Sequence, residues 1–142
     1  MLFRSKGRTR SPLELGLDWL VDFSKPNFTG RRALAEEKRR GPTWRLVKLD
    51  IEGNKPAPGA IIYDSEGCNK DIGYVTSAMW SPAVKANIAL AMIKTEYLKG
   101  EIWVEVYYYK DNRPYRRMAL GTQKKKPFWV HPRARTTPPS DF

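Results

Sequence analysis

Apolar and charged residues begin to alternate just after position 44, and this pattern is the first indication of β-strands in most of the chain. Val47, Leu49 and Ile51 are each followed by a charged residue, which is the pattern of a strand with one buried face. Turn-forming residues then recur as far as position 114, and they separate further β-prone segments at 60–63, 71–76, 102–109 and 115–120. Short strands spaced in this way predict a small barrel or sandwich over residues 42–130.

The segment 71–93 is unusually poor in charge for a basic chain. Its apolar run at 88–93 fits a helix or a strand by pattern alone, and its place among strands favours a strand. Serine and proline at 77–82 supply turn hydrogen bonds and a fixed φ. We therefore expect a strand at 71–76, a turn at 77–82 and a returning strand at 87–93.

The segment 102–109 is aromatic and carries arginines just after it. Alternation assigns Ile102, Val104 and Val106 to the core, and it assigns Trp103, Glu105 and Tyr107 to the opposite face. On this assignment, replacing Glu105 by alanine should be mild. With the following arginines the aromatic rings could stack nucleobases, but we favour aromatic residues that fill the core and cover one sheet face.

Before residue 42 the pattern is mixed. Short apolar groups in 12–28, interrupted by Gly16 and Pro26, predict strand and turn pieces. A helix is expected from a cap at Thr29 to a stop at Gly41. Residues 1–11 are expected to be a disordered leader or a cut end, and the proline-rich residues 131–142 a flexible tail.

The net charge of +11 predicts an affinity for anions, whether nucleic acid, acidic lipid or a polyanionic small molecule. Charged side chains that are simply solvated would also account for much of this net charge.

The apolar run 88–93 is far shorter than the roughly 20 residues of a membrane span, so we expect a cytoplasmic protein with no membrane partner. Cys68 is the sole cysteine, which fits a reducing compartment.

Catalytic chemistry is not visible in the residues themselves. Nucleophilic triads, metal-ligand clusters and phosphate-binding glycine loops are all missing from the pattern, so we assign no catalytic residue and no metal site. His131, the only histidine, is expected on the surface. Glu36 and Glu37 stand beside basic residues on one short helix, where surface pairs are the usual outcome.

Three segments, in the same order along the chain, resemble one known family. They read "PLELGLDWLVDFSKPNFTGRRAL" at 12–34, "IGYVTSAMWSPAVKANIALAMI" at 72–93 and "PF" at 127–128. Together they resemble the aminomethyltransferases, that is, the glycine-cleavage T-proteins, related folate-dependent demethylases and the C-terminal region of dimethylglycine dehydrogenase. Ala78 and the bulky Met79-Trp80 pair depart from the usual residues, and they point to a demethylase-like relative.

The resemblance implies a mainly β fold with one linking helix. Residues 12–41 would be the end of a folate-binding region with that helix, and residues 42–130 the family's C-terminal β-barrel. The family's reacting carboxylate lies in an amino-terminal region that nothing here matches. The chain is therefore expected to be a C-terminal fragment of a tetrahydrofolate-dependent aminomethyl or methyl transferase that is not catalytic alone.

Cofactor, partners and site residues follow from the same resemblance. Tetrahydrofolate would be bound mainly by the amino-terminal region, with a lipoyl carrier protein or a small methyl donor as further partner. Trp19 matches an aromatic residue near the folate cavity, unless it is a core tryptophan. Arg31 and Arg32 would lie near the cofactor's anionic end, unless they are simply solvated, and Arg133 would reach back over the cavity. The alternative is a stand-alone basic β-barrel that binds nucleic acid, which the resemblance disfavours.

Overall fold

The computed structural model describes residues 9–131. Within this range one α-helix, α1 (Arg31–Arg40), precedes six strands. The strands are β1 (Trp44–Ile51), β2 (Ile61–Tyr63), β3 (Asp71–Ser81), β4 (Ala86–Lys94), β5 (Trp103–Lys110) and β6 (Arg113–Lys124). Single turns of 3-10 helix lie at Asp18–Leu20 and Thr95–Tyr97. The mainly β character with one helix is confirmed.

The six strands close into an antiparallel barrel in the order β1-β4-β3-β2-β5-β6. Closure is completed where β1 pairs with β6, from Lys48 opposite Lys124 to Ile51 opposite Gly121. A closed barrel leaves no unpaired sheet edge where the ring is complete, which a sandwich does not achieve. Of the two architectures open from the sequence, the structure has the barrel.

The barrel interior is filled by the inward-facing residues of the alternating strands. Val47, Leu49 and Ile51 are buried, and the assignment of Ile102, Val104 and Val106 to the core is confirmed. Burying a side chain of this size stabilises the fold by about 1.5–3 kcal/mol. The core cluster comprises Val47, Leu49, Ile51, Ala57, Ile62, Ile72, Val75, Ala89, Ala91, Ile93, Ile102, Val104, Val106 and Ala119.

The strand at 88–93 is confirmed as part of β4, but the turn predicted at 77–82 is wrong. β3 continues to Ser81, and the chain reverses at 82–85. The hydroxyl-bearing residues serve a β-bulge instead, since Val75 pairs with Ala91 and Ser77 with Leu90, leaving Thr76 as the extra residue. The Thr76 hydroxyl donates to the Leu90 carbonyl oxygen at 2.9 Å.

Gly73, the glycine of the segment "IGYVTS", lies on β3 directly beside the backbone of β4. A Cβ at this position would overlap the carbonyl oxygen of Met92 and would lie 3.0 Å from Ile93 Cα. Both of those atoms are backbone, so neither can move aside without shifting β4. The glycine is therefore a steric requirement of the barrel.

Residues 12–28 do not form the strand pieces expected from their apolar groups. The chain folds back in turns, with the Leu17 amide donating to the Pro12 carbonyl at 2.8 Å. Leu13 is buried, and the Leu46 amide donates to the Glu14 carbonyl at 2.8 Å. The segment is also tied to β1 through Arg45, whose Nη1 donates to the Leu13 carbonyl at 3.1 Å and whose Nη2 lies 2.9 Å from Asp18 Oδ2. It nevertheless forms no strand within the described residues.

Helix α1 ends at Gly41 as expected, but it is not capped by Thr29. Its N-cap is Gly30, which has a φ of 86° and no side chain with which to cap. No residue of α1 is buried.

His131 is exposed as predicted, with its ring 5.3 Å from that of Trp129. The expectations for residues 1–8 and 132–142, Arg133 included, lie outside the described residues.

Candidate functional site

Trp19 stands on the 3-10 turn that precedes α1. Its side chain is 77% exposed, so the interpretation as a core tryptophan is wrong. The turn is held in place by its neighbour Asp18, whose Oδ2 lies 2.9 Å from Arg45 Nη2 on β1. The barrel therefore presents an indole to solvent from an anchored position, as a residue that contacts a ligand or another domain would require.

Arg31 and Arg32 line one open cleft of about 700 Å³ at the start of α1. Arg31 also holds the preceding loop, since its Nε donates to the Lys25 carbonyl at 3.1 Å and its Nη2 to the Phe23 carbonyl at 3.4 Å. The structure thus brings the two predicted arginines together, while Trp19 does not line this cleft. Glu36 lines the same cleft, and the role of the two arginines toward an anionic cofactor stays a prediction.

An apolar groove of about 510 Å³ runs over the outer surface of β3 and β4. Met79 projects beside it with 69% of its surface exposed, although it is a large apolar side chain. The groove brings together two of the segments noted in the sequence, since Ser77–Met79 and Ile88–Leu90 face Pro127 and Phe128 across it. Exposed apolar surface of this kind marks a contact site for another protein surface or for a ligand. We call it the β3–β4 groove.

A carboxylate that the sequence placed on the solvent side is buried. Glu105 is 7% exposed, because Arg116 and Tyr107 cover it. Its Oε1 lies 2.8 Å from Arg116 Nε and accepts a 2.8 Å hydrogen bond from the Tyr107 hydroxyl. That hydrogen bond is the largest cause raising the pKa of the Tyr107 phenol above its ordinary value. Two partners therefore contact this carboxylate, and the expectation that replacing Glu105 is mild stays a prediction.

Tyr107 and Tyr109 of β5 lie on the face opposite the core, to which alternation had assigned Tyr107, and neither ring fills the core. Tyr107 is 59% exposed and Tyr109 is 76% exposed. The reason is topological, because the ends of β5 and β6 extend past the strands that flank them in the barrel. Period-two alternation predicts which face of the sheet a residue lies on, but it does not predict where a strand extends past its neighbours. It therefore could not indicate this extension or the covering of Glu105.

The features described above are candidate binding surfaces. Among residues 9–131 no group of three or more histidine, cysteine, aspartate or glutamate side chains is placed to hold a metal ion. Over the same range, no helix has the length and apolar character needed to cross a bilayer. The fold is thus a six-stranded antiparallel barrel domain that carries an exposed indole, a two-arginine cleft and an apolar groove.

The chain belongs to the family described as the glycine cleavage T-protein C-terminal barrel domain. The profile of that family matches residues 45–117, just over half of the chain. The match covers most of the six barrel strands, so the family expected from the sequence is confirmed. Because the matched family and relatives are aminomethyltransferases, they give no support to a stand-alone nucleic-acid-binding barrel.

Individual proteins give the same result. The chain is 40% identical over 101 residues to the aminomethyltransferase of Caldanaerobacter subterraneus subsp. tengcongensis, covering 70% of this chain and 26% of that one. It is 32% identical over 120 residues to the aminomethyltransferase of Desulforamulus reducens, covering 84% and 30%. The crystal structure of glycine cleavage system aminomethyltransferase T from Bartonella henselae superposes with a TM-score of 0.68 at 26% identity, covering 84% of this chain and 32% of that chain. The chain therefore spans about a quarter to a third of the relatives it matches.

Proposed function

We propose that this chain is the C-terminal barrel part of a tetrahydrofolate-dependent transferase that moves an aminomethyl or methyl group. The observation that carries the proposal is the agreement of the closed barrel with an aminomethyltransferase structure over 84% of this chain. One-carbon transfer to folate is a property of the family and comes to this chain as part of the proposal.

The barrel supports the reaction and does not perform it alone. The reacting carboxylate and most folate contacts belong to a folate-binding region that these residues do not match. Several of the described acidic groups are engaged in ion pairs, such as Glu105 with Arg116 and Asp18 with Arg45. Residues 12–41 would supply the edge of the folate site, with Trp19 against the cofactor and the two arginines near its anionic end.

The β3–β4 groove and its surroundings are the proposed contact with the folate-binding region. The apolar residues near it, Met79 and Trp80, are exposed in the described chain and would be covered in an assembled enzyme. A barrel that evolved against another domain keeps such a surface, because apolar contact contributes most of the association energy.

Assays of the purified chain test whether it can transfer a one-carbon group to tetrahydrofolate by itself. We expect no tetrahydrofolate-dependent transfer from aminomethyl-lipoyl protein, from an N-methyl amine or from a dimethylsulfonium acid. Formation of a one-carbon folate by residues 1–142 alone would contradict the proposal.

The proposed contact has a separate test. Association with a folate-binding region should weaken in Met79→Asp, because the substitution places a charge on the apolar contact surface. The matched control is Tyr109→Asp, which introduces the same charge at an exposed position on β5 that does not line the groove. Equal weakening in both variants would show that the groove is not the contact surface.

A further inference from the structure

The chain before β1 divides into a part fixed on the barrel and a part that projects from it. Residues 10–18 are fixed, since Leu13 is buried and the Glu14 carbonyl accepts from the Leu46 amide at 2.8 Å. We call them the strap. Residues 21–40 include α1 with the two-arginine cleft, and none of them is buried. We call them the arm. Packing usually holds a helix in place, so the position of this arm depends on other contacts.

The strap begins at an arginine held by two aromatic side chains of the barrel. Arg10 Nη2 donates to the Tyr74 hydroxyl at 2.9 Å, and its guanidinium carbon lies 5.4 Å from the centre of the Trp44 ring. The two rings pack edge to face, with centroids 6.1 Å apart. The Arg10 side chain is 22% exposed, and such partial burial strengthens both kinds of contact. The strap therefore starts from a fixed point.

Ser11 lies between that fixed point and the buried Leu13. Its hydroxyl oxygen accepts from the Glu14 amide at 3.1 Å, and the hydroxyl donates to Glu37 Oε1 on α1 at 2.6 Å. Glu37 is half-buried, whereas its neighbour Glu36 is exposed. Within the described residues, this is the side-chain hydrogen bond that joins the arm to the strap. Because its acceptor is a carboxylate and its donor is held in place, the bond belongs to the stronger class.

The arm is bonded within itself as one unit. Arg31 Nε, at the start of α1, donates to the Lys25 carbonyl at 3.1 Å. Near the end of α1, Lys38 Nζ lies 4.5 Å from the centre of the Phe23 ring. The helix and the loop before it are thus linked at both ends of the helix, and they would move together.

The arm meets the fixed parts of the chain at two joints. Before it, Asp18 pairs with Arg45 on β1 at 2.9 Å. After it, the Pro42 carbonyl accepts from the Thr95 hydroxyl at 2.6 Å. The second joint is Gly41, whose φ of 87° is a conformation that glycine adopts without a steric cost. Two such joints leave the arm free to turn between them.

We propose that Ser11 and Glu37 are positioning residues, whose hydrogen bond fixes the angle of the arm and with it the place of the two-arginine cleft against the barrel. The bond supplies a third attachment in addition to the two joints. Without it, Arg31 and Arg32 would occupy a range of positions, and a ligand would bind more weakly because it would have to select one of them. The importance of that placement for the anionic end of a cofactor rests on the proposed function.

The test is the distance between two nitroxide labels in residues 1–142, measured by double electron–electron resonance. Cys68→Ser removes the native thiol, and Ala35→Cys and Thr122→Cys place the labels at exposed positions on the arm and on the barrel. We expect one narrow distance population in this background. Glu37→Ala and Ser11→Ala should each raise the displaced fraction about tenfold or more, because each removes a hydrogen bond to a charged group. Glu37→Gln keeps an acceptor oxygen and should retain most of the narrow population.

The matched control is Glu36→Ala on the same helix. Glu36 pairs with Arg39 inside α1, with Oε1 2.7 Å from Nη2, so its removal should leave the distance distribution unchanged. Alanine has the highest helix propensity, and neither Glu36→Ala nor Glu37→Ala therefore weakens α1 through propensity.

Three results would overturn the proposal. They are a broad distribution in the labelled background, an unchanged distribution in Ser11→Ala or Glu37→Ala, and an equal change in Glu36→Ala. The two members of the bond are replaced separately, so either variant decides the question if the other fails to fold. The distance measurement uses neither folate nor transfer, and its failure would leave the proposed function standing. An assembled enzyme that carries out no transfer would count against the proposed function and not against this hydrogen bond.

Discussion

The Arg116 guanidinium and the Glu105 carboxylate are joined across neighbouring strands, with Nε 2.8 Å from Oε1. The pair is asymmetric, because the arginine side chain keeps 47% of its surface in solvent and the glutamate side chain 9%. Removing the arginine takes away the ion-pair partner of the carboxylate and leaves it one donor, Tyr107. Removing the glutamate leaves two groups that can reach water.

We therefore expect Arg116→Ala to lower the free energy of unfolding by about 1–2 kcal/mol, and Glu105→Ala to lower it by less. Urea denaturation at neutral pH measures both, with Arg113→Ala as a control for loss of an exposed cation from the same strand. If Arg116→Ala unfolds at the wild-type urea concentration, the pair does not contribute to stability.

The hydrogen bond from Tyr107 to Glu105 gives a pH-dependent signature. It favours the protonated phenol, so the pKa of Tyr107 lies above its ordinary value, and Glu105→Gln should lower it. Because the folded state holds this proton more tightly, the contribution to stability is complete below the pKa of the unfolded tyrosine. It is lost as the pH rises through the folded value. Ultraviolet titration of wild type and E105Q, each compared with its Tyr107→Phe variant, isolates this phenol. An identical Tyr107 titration in both would contradict the assignment.

Val104 is fully buried in the barrel, on the strand that also carries the exposed Tyr109. Val104→Asp places an unpaired charge in the core and should destabilise the chain by about 4 kcal/mol or more. Tyr109→Asp introduces the same charge in solvent and should lower the melting temperature only slightly. Similar melting temperatures for the two variants would show that the strand faces are assigned wrongly.

Gly73 gives the sharpest steric prediction. Gly73→Ala should destabilise the barrel by about 3 kcal/mol or more, because its Cβ meets the backbone of β4. Gly100→Ala is the matched control, since a Cβ there would lie 3.7 Å from its nearest neighbour, the Tyr97 carbonyl oxygen. Thermal unfolding followed by circular dichroism distinguishes them, and a Gly73→Ala variant as stable as wild type would remove the steric reason for this glycine.

The strands were predictable wherever one side of the chain faces the core. Period-two alternation identified Val47 to Ile51 and the inward residues of β5, because burial imposes that period directly. The bulge at Thr76 was not predictable, since serine and threonine satisfy turns and bulges equally well, and only the pairing with β4 distinguishes them. In residues 12–28, apolar groups indicated strands, but the segment folds in turns, in which Leu13 is buried while Trp19 and Leu20 are exposed.

The candidate site was predictable in its residue types more than in its arrangement. Resemblance pointed to Trp19, Arg31 and Arg32, and the structure exposes all three, with the arginines in one cleft. It did not indicate that Phe128 meets Met79 across a groove, because that contact depends on the path of the chain after β6. The Glu105 cluster was missed for a similar reason, since Arg116 reaches Glu105 only through the register of β6 against β5.

The central claim is that this barrel serves a folate-dependent transferase, and a domain exchange tests it most directly. In the Caldanaerobacter aminomethyltransferase, the aligned quarter of the chain is replaced by the matching segment of this protein. Cooperative thermal unfolding first establishes that the chimera is folded, and aminomethyl transfer is then measured beside the parent enzyme. We predict that the chimera retains transfer, and that Met79→Asp within it reduces transfer while leaving the barrel folded. A folded chimera that carries out no aminomethyl transfer would contradict the account.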